Sequence, residues 1–309
     1  MPKKNNLLLL GLTGNLSFAA GALLLSLRRH SPALFDNVLL FHDGKLPQGD
    51  ADILQSLGAE LRLYDTRLPG MDGTEESAPG IGQNILQRFS PLAFSRLEAL
   101  NLLDEYRKIL WLDVDTAIQG DLTPLMEYGP LALSREDPYF RHDGKTAKAG
   151  ANIDTQVNGF DPLAPNLNSG VIVFDDNLPE PRKLYKLCFK WLHTFAANIT
   201  FADQFLFNML AQHLGKRHPG SFTAFPYERF NAHPRNPLAQ SAALVHGFGP
   251  YKLWSDGRIL ALFPEWLRDY QRWRDFGGSA WPAEPRHAEY YLKGPFHLLG
   301  QLPSVSPEE

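Results

Sequence analysis

Two aspartates one residue apart, Asp113 and Asp115, directly follow the apolar run Ile109-Leu110-Trp111-Leu112. Carboxylates at the end of a buried strand can both turn toward one cation. Hard oxygen ligands suit Mg2+ or Mn2+, ions that usually keep substrate phosphates in their shell. Taken alone, Asp113-Val114-Asp115 reads better as a strand-end turn with solvated acids. A second set, Val245-His246-Gly247-Phe248-Gly249-Pro250-Tyr251-Lys252, places a His after an apolar strand and then Gly and Lys at three-residue steps. These types supply a metal ligand, a backbone that a ligand can approach closely, and a cation. Imidazole tolerates Mn2+ better than Mg2+, and Lys binds phosphate as a compact point charge. The plainer account is a core His and a surface Lys. Asn168-Ser169-Gly170 leads into the apolar run 171–174, where an amide and a hydroxyl can bond sugar hydroxyls or cap a turn. Asp203-Gln204 opens a helical pattern, a place that the helix dipole also favours for Asp. Arg96 sits on the helix feeding the 108–112 strand, where its plain role is a solvated cation.

The elements that position these residues follow from periodicity. Apolar runs predict strands over 7–10, 37–41, 61–64, 108–112, 131–133, 171–174 and 242–246. Helices are expected over 18–27, 51–57, 91–104, 184–195, 203–214 and 264–276. The alternation in the first half predicts an α/β fold with a mostly parallel, doubly wound sheet and ligands at the strand carboxyl ends. Residues 65–90 are rich in Gly, Pro and polar types and are expected to loop over the sheet edge. Residues 135–166 are polar and long for a connection, which predicts a lid that orders over a bound ligand. Residues 7–27 carry no charge and match the length of a membrane span. Two glycines, Thr13, Asn15 and Ser17 interrupt that stretch, so strand, loop and helix are expected instead.

Composition limits the alternatives. The 309 residues suffice for one large domain or two small ones, and 44% hydrophobic with 21% charged residues is ordinary for a soluble globular chain. A net charge of −4 provides no global field toward nucleic acid. The single cysteine, Cys188, excludes an internal disulfide and fits a reducing, cytoplasmic compartment; it reads as a small buried hydrophobe.

Taken in order, these sets resemble glycosyltransferase family 8, the retaining enzymes that include bacterial lipopolysaccharide galactosyl- and glucosyltransferases and glycogenin. The resemblance rests on Phe94-Ser95-Arg96-Leu97, Lys108 to Asp115 with Gly120-Asp121-Leu122, Asn168-Ser169-Gly170-Val171, Asp203-Gln204, and His246-x-x-Gly249-x-x-Lys252-x-Trp254. It implies a GT-A type single nucleotide-binding domain over 1–255, with a mostly parallel mixed sheet flanked by helices, and a C-terminal helical, aromatic tail over 256–309. It further implies that Asp113, Asp115 and His246 hold Mn2+ or Mg2+, and that Gly249 and Lys252 meet a diphosphate. Thr13, Asn15 and Val114 would line the nucleotide. Arg96 and Asp203 would bind the donor sugar, Asn168 would contact donor or acceptor sugar, and Gln204 would sit beneath the anomeric carbon. The implied donor is a UDP-sugar and the acceptor a carbohydrate or lipid-linked hydroxyl.

Three positions depart from the family pattern. Thr13-Gly14-Asn15 stands where the family has an Asp that reads uracil, which leaves the base open. Leu253 replaces a Pro, and Phe205 replaces the second Asp of the Asp-Gln-Asp block. An uncharged amide such as Gln204 is a poor nucleophile, so retention is expected through same-face attack guided by the leaving phosphate. Two other classes fit parts of the pattern: a non-catalytic binder of sugar nucleotides or carbohydrate, and a sugar nucleotidyltransferase. The metal triad with Lys252 argues against the first, and the sparse glycines of Gly11-Leu12-Thr13-Gly14 argue against the second. In the tail, Trp266, Tyr270, Trp273 and Phe276 form one helical stripe. Either it packs on the domain, or with Arg268, Arg272 and Arg274 it makes a peripheral membrane contact, aided by Tyr290, Tyr291, Lys293 and Phe296.

Overall fold

The computed structural model describes residues 3–64, 90–140, 147–255 and 257–281. Strands β1 (Lys4–Leu12), β2 (Asn37–His42), β3 (Ala59–Leu63) and β4 (Tyr106–Asp113) pair in parallel, in the order β3-β2-β1-β4. β5 (Thr116–Ile118) follows the Asp113 turn, and then come β6 (Leu131–Arg135), β7 (Leu167–Asp175), β8 (Phe222–Phe225) and β9 (Leu244–His246). The main sheet continues β4-β7-β6-β8. β7 runs antiparallel to both β4 and β6, while β8 is parallel to β6. This is the mostly parallel mixed sheet that the sequence predicts.

Side chains alternate across a strand, so a sheet covered on both faces sorts its apolar residues into two cores. Leu7, Leu9, Ile109, Trp111, Ile172 and Phe174 join one core. Their neighbours Leu8, Leu10, Leu110, Leu112, Val171 and Val173 join the other. Helices α1 (Ser17–His30) and α2 (Gln48–Ser56) connect the first three strands. A 3-10 segment, Pro91–Glu98, runs into α3 (Ala99–Leu102) ahead of β4. Helices α4 (Pro181–Phe195) and α5 (Ala202–Arg217) cover the first core. Cys188 is buried on α4, and burial pushes its thiol up to about 12.

Several expectations change. The 91–104 segment is a 3-10 helix over its first eight residues rather than α-helical throughout. Ser95 donates to the Leu92 carbonyl at 2.7 Å, an i to i−3 contact that matches the tighter winding. The 242–246 strand is shorter and pairs with β5 in a separate two-stranded antiparallel sheet. β5 and β8 were not expected from the sequence. Residues 135–166 are not one polar loop. Ala149, Ile153, Val157 and Phe160 recur every three or four residues among polar ones and pack into the first core. A bridge between Lys148 and Pro165 closes the base of that segment. Residues 65–89 and 141–146 lie outside the described residues, and with them most of the expected edge loop and part of the expected lid.

At the C-terminal side, α6 (Tyr227–Phe230) is followed by α7 (Gly257–Leu262) and α8 (Pro264–Asp275). Three of the four aromatic residues in the α8 stripe pack inward against α1, so over them it is a packing face. Trp266 and Tyr270 are buried and Trp273 is fully so, while Phe276 is exposed. A Cβ on Gly21 would stand 2.1 Å from the Trp273 ring, so glycine lets the indole lie on the α1 backbone. Trp266 stacks parallel on Tyr270, which stacks on Trp281 at 4.1 Å. Arg29 of α1 grips Asp269 of α8 with two bonds, of 2.7 and 2.9 Å. Tyr290, Tyr291, Lys293 and Phe296 lie outside the described residues. Among the described residues, no helix is long and apolar enough to cross a membrane. The uncharged stretch 7–27 is split between β1 and α1.

Removing the Trp273 side chain empties its seat on the α1 backbone at Gly21. The Trp273→Ala variant is expected to lose about 3–5 kcal/mol of stability. Chemical denaturation of the full chain checks this; an unchanged midpoint would show that the Trp273 indole contributes no packing.

Candidate active site

The carboxyl ends of β1, β2 and β4 lie along one edge of the sheet, because these strands are parallel and adjacent. β7 runs the other way, so its first residues, Asn168, Ser169 and Gly170, reach the same edge. β4 ends at Asp113, whose carboxylate accepts from Trp111 Nε1 at 2.9 Å. Thr116 donates to the Asp113 carbonyl at 2.8 Å and closes the turn that carries Asp115. The small sheet then brings in the third group. Thr116 stands opposite His246, and the Gly247 amide donates to the Asp115 carbonyl at 2.8 Å.

One ligand atom from each of Asp113, Asp115 and His246 lies within 4.8 Å of the others. His246 Nε2 is 3.2 Å from Asp115 and 3.7 Å from Asp113. It is buried and makes no hydrogen bond. A buried ring nitrogen that faces two carboxylates within 4 Å fits a divalent cation. Gly170 makes the position possible: a Cβ there would stand 1.9 Å from His246 Cε1. Lys252 forms an ion pair with Asp115 on the other side.

The two aspartates are pushed in opposite directions. Burial disfavours ionisation of Asp115, but Lys252 and His246 outweigh it and hold the carboxyl well below the usual range. For Asp113 burial prevails: its carboxyl is raised, with Asp115 adding to the effect and Arg96 and His246 opposing it. A bound cation would stabilise both as carboxylates.

Arg96 is 6% exposed and committed inside the protein. It pairs with Asp113 at 3.1 Å and Asp203 at 2.5 Å, donates to the Ser169 carbonyl at 2.7 Å, and lies over the Trp111 ring. Asp203, at the start of α5, also accepts from Ser169 Oγ at 2.7 Å. Thus Arg96, Asp113 and Asp203, far apart in sequence, form one ionic row. Gln204 belongs to a different polar group, with its Nε2 3.3 Å from Asn152 and 3.4 Å from Glu136. Asn168 is buried and accepts from the Gly170 amide at 3.0 Å. Gly249 has φ +67° and would place a Cβ 2.5 Å from the Phe140 ring, so no other residue fits this turn without strain. Val114 is buried in the second core, which leaves its backbone rather than its side chain for a ligand.

At the end of β1, Thr13 Oγ1 donates to Asn15 at 2.8 Å. Asp43, just past β2, accepts from the Gly14 amide at 3.2 Å and so braces this loop. Its signal was its place at the carboxyl end of β2. Asn231 was also missed: it lies 2.9 Å from His246 Nδ1, fifteen residues earlier in the chain, with no local motif.

A family model described as glycosyl transferase family 8 matches residues 7–257. No curated protein matches the chain. Among solved structures, it is similar to the galactosyltransferase LgtC in complex with donor and acceptor sugar analogues. The TM-score is 0.62 at 17% identity, covering 87% of this chain and 99% of that one. It is also similar to the bifunctional glycosyltransferase WbbM, with TM-score 0.60 and 16% identity over 88% of this chain and 52% of that one. The glycosyltransferase GlyE of Streptococcus pneumoniae TIGR4 gives TM-score 0.55 and 16% identity over 89% of this chain and 64% of that one. At these identities the likeness is one of fold.

The Gly170→Ala variant forces the His246 ring out of its place. Its thermal stabilisation by Mn2+ is expected to disappear while the far-UV circular dichroism spectrum is retained. A wild-type Mn2+ shift in this variant would show that His246 need not stand where it does.

Proposed function

The chain belongs to glycosyl transferase family 8 and is a glycosyltransferase, and from that premise we propose that it moves a hexose from a nucleotide-sugar, a UDP-sugar by preference, to a glycan or lipid-linked hydroxyl with retention at the anomeric carbon. The observation that carries this reading is the convergence of Asp113, Asp115, His246 and Lys252 at the carboxyl edge of the parallel strands. Open α/β sheets bind their ligands at that edge. The catalytic unit spans 1–255 in this reading, with 256–309 as an appended tail.

Asp113, Asp115 and His246 would hold a divalent ion, Mn2+ or Mg2+, which as a Lewis acid neutralises charge growing on the leaving diphosphate. Lys252, beside Asp115, adds a positive charge for the same phosphates. Gly249 brings its backbone close to them. Thr13 and Asn15, at the end of β1, face the nucleoside. Arg96 acts through its two carboxylate partners, holding Asp113 toward the phosphates and Asp203 toward the sugar. Gln204 turns its amide nitrogen toward Glu136 and Asn152, and its oxygen would be the end offered to the sugar. A neutral oxygen beneath the sugar can stabilise a cation-like anomeric centre without forming a stable bond. Attack by the acceptor on the face the diphosphate leaves then gives retention. Asn168 borders this region and would contact donor or acceptor sugar.

Asp113→Ala and Asp115→Ala are expected to lower donor hydrolysis at least roughly 100-fold, the scale of removing one charge-stabilising group. Both should keep the wild-type circular dichroism spectrum. Near-wild-type turnover in either variant after metal chelation would overturn the metal assignment.

Stereochemistry is a separate test. Proton NMR of the first-formed sugar product from an α-linked donor should show the α anomer. A β product would remove the retaining mechanism, and with it the placement of Gln204.

A further inference from the structure

We propose that Asn231 is a positioning residue that fixes His246 in its Nδ1–H tautomer, through a relay of amides that begins at the backbone N–H of Gly170. A backbone N–H can only donate. It meets the Asn168 side chain at 3.0 Å, so the atom there is the amide oxygen. The same oxygen lies 3.0 Å from the Asn231 side chain, which must therefore present its NH2 group. The second hydrogen of that group goes to Ser134 Oγ at 2.7 Å. The remaining atom of the Asn231 amide is its oxygen, 2.9 Å from His246 Nδ1, and an oxygen can only accept. Nδ1 thus carries the proton. In the neutral ring Nε2 then keeps its lone pair, aimed at Asp113 and Asp115.

Burial gives the relay its force. Asn231, Asn168, Ser134 and His246 are 1%, 4%, 0% and 1% exposed, so water does not compete for these bonds. The sheet sets the register: the pairing of β6 with β7 jumps from Leu133 opposite Ile172 to Ser134 opposite Asn168. That jump puts the Ser134 hydroxyl and the Asn168 amide on one side chain, Asn231. Without the relay, the two carboxylates would attract a proton onto Nε2, and an Nε2–H facing Asp115 has no lone pair for a cation. The relay thus opposes the tautomer that the acidic pair would otherwise select. This inference rests on the proposed cation site, whose ligands are Asp113, Asp115 and His246.

The test uses the full chain, metal-free and 15N-labelled, at about pH 8, above the ordinary imidazole range. Long-range 1H–15N correlation reads the tautomer of His246, assigned by comparison with His246→Gln. Wild type is expected to be Nδ1–H. Asn231→Leu removes the acceptor and should move the ring to the Nε2–H tautomer. Asn231→Asp keeps an acceptor and should retain Nδ1–H, and it serves as well if the leucine variant does not fold. Calorimetric titration with Mn2+ should show roughly 10–100-fold weaker binding for Asn231→Leu. An Nε2–H wild type overturns the proposal. So does a leucine variant that keeps both the Nδ1–H tautomer and wild-type Mn2+ affinity. If wild type binds no Mn2+, the cation site falls, and the tautomer measurement alone decides the role of Asn231.

Discussion

Placing two carboxylates side by side at the edge of a buried sheet is the constraint on which the rest of the site depends. Each loses hydration, and each repels the other. Every neighbouring group answers that cost. Lys252 pairs with Asp115, Arg96 pairs with Asp113, and the buried Nε2 of His246 faces both. Arg96 would carry excess charge in a dry pocket, and Asp203 supplies its second partner. A divalent ion held by Asp113, Asp115 and His246 would complete this balance better than a further side chain.

Architecture delivers these groups from four separated stretches of chain. Parallel β4 carries Asp113 outward past the sheet edge. Among the described residues of the main sheet β7 alone is reversed; it begins at that edge and supplies Ser169 and Gly170 to it. The small β5–β9 pairing ties His246 to the residue after Asp115. Without the reversal of β7, its amino end would lie at the opposite edge, and Arg96 would lose the Ser169 carbonyl.

Close approach is the second recurring device. Gly170 admits the His246 ring, Gly21 admits the Trp273 ring, and Gly249 admits the Phe140 ring. In each case an added methyl would collide with an aromatic ring that is itself packed. The glycines therefore report where functional and structural aromatics meet backbone, at two spots in the site and one in the C-terminal helix packing.

The sequence by itself determined the layered α/β pattern, because strand and helix periodicities are local. It also marked Asp113, Asp115, His246 and Lys252, because carboxylates and a His directly after apolar runs are local signals of strand ends. It identified the aromatic stripe of α8 but left open what that stripe covers. Only the tertiary structure decided that it lies on α1, since the matching gap at Gly21 is far away in sequence. Likewise the 135–166 segment looked polar because its apolar residues are sparse, and only the surface of α5 shows that they are buried. Asn231 had no signal at all: its role comes from a register jump between β6 and β7 and from the orientation of a distant amide. Hydrogen-bond direction in a buried network is set by every member together, so no single stretch of sequence contains it.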